Sequence, residues 1–140
     1  MPNITTTNKI PYPQALNTAF AVCTTAKTTE TDLTNAVLLY TAPTNGAIIT
    51  KFLAHPRATV TACRLKVYVC KSSAPTTPYM ITTKLMSAAT VNETTAISPV
   101  DLGASESAPI KLAPGDLVYV AIGVSQSNGV IFVAEMEEFG

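Results

Sequence analysis

Apolar and polar residues alternate with a period of two along most of this chain, and no stretch holds the helical period of 3.6 residues. The alternation is cleanest from Thr59 to Lys71, where Cys63, Leu65, Val67 and Val69 take one face and Arg64, Lys66 and Tyr68 the other. Leu65 and Val67 are expected in the core, and the second set on the surface. Between Ala47 and His55 both faces are apolar, Ile48, Thr50, Phe52 and Ala54 against Ala47, Ile49, Lys51 and Leu53, as in a central or covered strand. Tyr79, Ile81, Thr83 and Leu85 alternate with Met80, Thr82, Lys84 and Met86 in the same way. Shorter strands are predicted over Ala19–Ala26, Ala36–Thr41 and Ala96–Leu102.

The closing third reads as strand, turn, strand, turn, strand. Ile110 to Leu112 leads into Ala113-Pro114-Gly115-Asp116, where Pro114 presets φ and Gly115 supplies the positive φ that a type II turn requires. Leu117–Val124 follows, then Asn128-Gly129, the dipeptide best suited to a two-residue hairpin, so Val130–Met136 is expected to pair with Leu117–Val124. Val118, Val120, Ile122 and Val124 share one face of that strand, and Leu117, Tyr119 and Ala121 the other. A two-layer sandwich covers one face, which leaves the other as an expected contact surface. About eight strands separated by turn signals predict an all-β fold: an antiparallel β-sandwich, jelly-roll-like.

Residues 1–17 carry Pro2, Pro11 and Pro13 among Thr and Asn, a composition that resists helix and interior strand alike. They are predicted to form an extended arm, with residues 18–140 as a single sandwich domain. Ile10, Tyr12, Leu16 and Phe20 give the arm and its junction enough apolar surface to dock on a neighbouring protein or another subunit.

Composition narrows the partners. Charged residues make up 13% of the 140, about half the usual share, and nine basic against nine acidic residues leave no net charge. Nucleic-acid binding loses its electrostatic basis. With a mean hydropathy of +0.29, a free monomer lacks protection against association, so a homo-oligomer is expected. No apolar run reaches the length of a membrane span, and the first residues lack the order of a signal peptide, which predicts a soluble protein made in the cytoplasm. The sequons at Asn3 and Asn92 are then chance matches.

No chemistry emerges. Cys23, Cys63 and Cys70 form no CxxC or Cys/His cluster, so neither metal nor cofactor is expected; Cys63 and Cys70 lie on opposite faces of one strand, out of disulfide reach. Buried thiols are the expectation, with an intersubunit bridge from Cys23 the alternative. The lone His55 stands before Pro56 at a strand end, no nucleophile motif is present, and Glu135, Glu137 and Glu138 fit a solvated strand rim better than a glycosidase pair. The chain is read as no enzyme. A ligand surface remains open as an alternative, with Tyr68, Tyr79 and the Ser72 to Pro78 loop as an aromatic platform for glycans.

Three segments carry a family resemblance: Val37-Leu-Leu-Tyr-Thr-Ala-Pro-Thr-Asn-Gly-Ala-Ile-Ile49, Ala62-Cys-Arg-Leu-Lys-Val-Tyr68, and Ile110-Lys-Leu-Ala-Pro-Gly-Asp-Leu-Val-Tyr-Val-Ala-Ile122. Over residues 36–134 the layout resembles small virion proteins of tailed bacteriophages. The resemblance implies a capsid decoration or head-associated protein on the virion surface, a trimer that binds the major capsid protein and is made in the host cytoplasm. It carries over no catalytic residue. The alternative is a host-surface or glycan-binding module of a fibre or head appendage.

Overall fold

A computed structural model describes residues 13–139. They form nine strands and no helix: β1 (Pro13–Cys23), β2 (Val37–Thr41), β3 (Ala47–Pro56), β4 (Cys63–Cys70), β5 (Tyr79–Met86), β6 (Val100–Asp101), β7 (Ile110–Leu112), β8 (Leu117–Ile122) and β9 (Val130–Phe139). Two antiparallel sheets result. One has the order β1-β9-β3-β6, with β7 also on β3; the other has the order β2-β8-β4-β5. The predicted β-sandwich is the fold.

Strand pairing is nested. β1 pairs with β9, β2 with β8, β3 with β6 and β7, and β4 with β5, so the chain folds back on itself as one long antiparallel ribbon. The β3–β9 and β4–β8 ladders then roll that ribbon into two sheets. β6 and β7 lie end to end along one edge of β3, meeting Leu53–Ala54 and Ala47–Ile49 respectively. Between the sheets, Phe52, Ala54, Phe132, Ala134 and Met136 face Leu65, Val67, Val118, Val120 and Ile122, all buried.

The turn at Ala113–Asp116 is as expected: Gly115 has φ +78°, and the Asp116 amide donates to Ala113 O at 3.1 Å. Asp116 adds a second closure, since its Oδ2 accepts the Ala113 amide at 2.9 Å and the Lys71 ammonium at 2.8 Å. The expected final hairpin is not formed. β8 and β9 belong to different sheets, and the loop between them crosses from one layer to the other. A type I′ turn needs positive φ at both central residues; among the described residues Asn35 alone of the non-glycines has it, so Asn128 does not. Gly129 ends a turn instead, its amide donating to Gln126 O at 3.0 Å.

Other boundaries shift for local reasons. The first strand starts at Pro13 rather than Ala19, so residues 13–17 of the expected arm are the first half of β1 on the edge of β9. In β3 a register shift between Ile49 and Lys51 swaps the two faces: Ala47 and Ile49 point inward before it, Phe52 and Ala54 after it. The strand predicted over Thr59–Lys71 is shortened to β4 because Val60 turns aside to exchange two backbone hydrogen bonds with Ala89.

Candidate interaction surfaces

Leu65 and Val67 are fully buried, as the alternation predicts. Their outward neighbours bring the main correction. Lys66 and Tyr68 are buried as well, because residues 24–36, the connection between β1 and β2, run over the outer face of the four-stranded sheet. The strap is seated by the Lys27 amide, which donates to Ile122 O at 2.8 Å, and its side chains meet those of β4. Glu30 is the hub: its carboxylate accepts from Lys66 Nζ at 2.7 Å and from the Tyr68 hydroxyl at 2.6 Å, with Arg64 at 3.5 Å. Lys66 Nζ also donates to Lys27 O at 2.7 Å. The Lys27 ammonium lies 5.5 Å from the Tyr68 ring centre and bonds Asp32 Oδ1 at 2.8 Å and Thr34 O at 3.1 Å.

This cluster is a clamp, and its charges are fully engaged. Burial opposes ionisation of Glu30, but hydrogen bonds from Lys66 and Tyr68 and the charges of Lys66 and Arg64 hold its carboxyl below the usual range. Hydrogen bonds from Lys27, Thr29 and Thr34 hold Asp32 well below its own. Burial and the Glu30 carboxylate push the Tyr68 hydroxyl up. Tyr68 is thus removed from the proposed glycan platform, since none of its surface reaches solvent. Tyr79 is exposed, on edge strand β5, as are Ile81 and Leu85, although the register shift opposite Val67 and Tyr68 puts Tyr79 out of phase with Leu85. The strap also covers much of the β8 face expected to be a contact surface: Ala121 is buried, while Leu117 and Tyr119 are half-buried.

Of the four expected contact residues, Ile10 and Tyr12 lie outside the described residues. Leu16 and Phe20 sit on the outward row of β1, 83% and 66% exposed, the inward row being Ala19, Ala21 and Cys23. Register extends the apolar surface across the sheet, Phe20 opposite Val133 and Val133 opposite Leu53, with Val22 opposite Ile131 in the next row. The Val130–Ala134 segment therefore does border an apolar patch.

The remaining chemistry-bearing groups are in structural roles. His55 directs Nδ1 at Pro56 O, 2.8 Å, and Nε2 at Ile97 O, 3.1 Å, tying β3 to the segment before β6. Glu135 pairs with Lys51 at 3.6 Å on the surface, while Glu138 turns inward to accept the Tyr40 hydroxyl, linking the two sheets. The three cysteines are free and buried. Cys23 donates to Val120 O at 3.5 Å, and burial pushes its thiol up to about 12, so the alternative of an intersubunit bridge from it has no exposed sulfur to use. Among the described residues no group of three His, Cys, Asp or Glu side chains is placed to hold a metal ion, and no helix is long and apolar enough to cross a membrane.

The clamp was missed by reading each strand alone. Its signal lay in charge: in so uncharged a chain, Glu30 and Asp32 in one connection face Arg64 and Lys66 on one strand face. Comparisons with family models, curated proteins and solved structures return no match to this chain.

Proposed function

We propose that this chain is a structural protein of a bacteriophage virion, a capsid decoration protein that stabilises the head by joining neighbouring subunits on its surface. The observation that carries this reading is the placement of uncovered apolar side chains on edge strands of the two sheets: Leu16 and Phe20 on β1, and Tyr79, Ile81 and Leu85 on β5. β1 packs near β2, and β5 is at the far edge of the sheet that β2 begins, so the two surfaces lie on opposite sides of the sandwich. A protein with two such surfaces bridges neighbours. The nested strand pairing supports the jelly-roll reading, an architecture shared by capsid and lectin domains. The glycan-binding alternative is weakened, because it keeps Tyr79 and loses Tyr68.

Capsids assembled from the major capsid protein of the same particle are the test. Saturable co-sedimentation at a fixed copy ratio is expected, together with greater resistance of the decorated head to heat. Leu85→Lys should weaken binding at least tenfold, and absence of binding by the unaltered protein overturns the reading. For the arm, the informative deletion stops at Tyr12, because residues 13–16 belong to β1. If that deletion leaves capsid binding and self-association unchanged, the arm contributes to neither.

A further inference from the structure

β1 is an edge strand whose edge-protecting features, Pro13 and the register shift between Pro13 and Ala15, are confined to its first residues. Its eleven residues, Pro13–Cys23, carry no charge, and its register with β9 is regular from Ala15 to Cys23. The other edges are blunted: β5 contains Lys84 and a register shift, β2 has five residues, and β6 and β7 have two and three. The free side of β1 is also defined. The Thr18 amide donates to Asn17 Oδ1 at 2.8 Å rather than to β9. Alternate residues of an antiparallel strand direct N–H and C=O to the same side. Leu16, Thr18, Phe20 and Val22 therefore present their backbone groups to the open edge, and no strand of the described chain pairs there.

We infer that β1 pairs antiparallel with β1 of a second copy, about a two-fold axis at Thr18, fusing two five-stranded sheets into one. Thr18 lies at the centre of the element, and this register pairs the regular run from Ala15 to Ala21 of one copy with the same run of the other. It makes the open residues into hydrogen-bonded pairs: Thr18 with Thr18 of the second copy, and Leu16 with its Phe20. The two most exposed apolar side chains of β1 then cover each other on the outer face, twice. On the other face, Ala15 meets Ala21 and Asn17 meets Ala19, small groups that allow close approach. A second copy is the fitting occupant because the strand is its own complement and the contact brings no charges of β1 together.

This inference goes beyond the virion reading and stands without it, since pairing can hold where capsid binding fails; it gives Leu16 and Phe20 to the second copy and leaves the β5 surface for the capsid. It replaces the trimer that the resemblance implies with a two-fold contact. Light scattering at micromolar concentration should give twice 14.7 kDa. Thr18→Cys should form a disulfide-linked dimer under mild oxidation, because opposed residues of a hydrogen-bonded pair lie roughly 5.5 Å apart at Cα, within disulfide range. Leu16→Cys should not, its symmetry mate being on the order of 13 Å away. The native thiols are buried and give no background. Thr18→Pro, which deletes an amide hydrogen that the β1–β9 ladder does not use, should restore the monomer mass with an unchanged circular dichroism spectrum. A monomeric or trimeric unaltered protein, or equal linking of the two cysteine variants, overturns the inference. So does a folded Thr18→Pro protein that stays dimeric; if that variant misfolds, the cysteine pair decides.

Discussion

Adjacent residues on one strand show how far alternation alone carries. Leu65 lies fully buried between the sheets, while the Arg64 side chain is half exposed and bonds Thr83 Oγ1 at 2.9 Å. Leu65→Ala is expected to cost about 2–5 kcal/mol through lost transfer energy and the cavity left behind. Arg64→Ala loses exposed polar contacts and should cost under about 1 kcal/mol. Urea titration of the two variants checks the pair, and equal losses would mean that the buried face is misassigned. Period two identified which side chains share a face, and for Leu65 it also identified the core. It carried no information on what covers the opposite face, so Lys66 and Tyr68 were expected in solvent and are found under the strap.

At the scale of elements, the sequence made strand positions more legible than strand partners. β2, β3 and β5 fall within a residue of expectation because Pro43-Thr-Asn-Gly46 and the Ser72 to Pro78 loop mark their ends chemically. Partnership depends on distant segments, and the β8–β9 pairing failed there. Conformation at Asn128 and Gly129 separates the two arrangements. Gly129 has φ +82°, and a Cβ on it would meet Val22 Cγ1 at 2.7 Å and Cys23 O at 2.9 Å, whereas Asn128 has no positive φ to protect. Gly129→Ala is accordingly expected to cost about 2 kcal/mol or more, from the left-handed backbone together with the clash. Asn128→Ala should stay within about 0.5 kcal/mol. A two-residue hairpin would make both substitutions costly, and denaturation midpoints of the two variants distinguish that outcome.

Across the whole molecule, the two sheet faces that point away from the core have opposite fates. The middle of the outer face of the four-stranded sheet, over Lys66 and Tyr68, is closed by the chain's own strap, held by Glu30 and Asp32; that of the five-stranded sheet keeps Phe20, Val22 and their neighbours open. Closure by carboxylates makes the first face sensitive to acid in a calculable direction. Both groups have folded-state values below the 4.5 and 3.8 of the free side chains, so their contribution is fully present above about pH 5 and is lost as pH falls through the folded values. Protonated Glu30 would leave Lys66, nearly all of it buried, without its counter-charge. Stability measured by urea midpoint should therefore be flat from pH 7 to about 5 and fall below it. Glu30→Gln should lower the midpoint at pH 7 and flatten the slope between about pH 5 and 3, because the variant no longer takes up that proton on unfolding. A slope as steep in the variant as in the unaltered protein would place the acid sensitivity elsewhere, in Asp32 and its bond to Lys27.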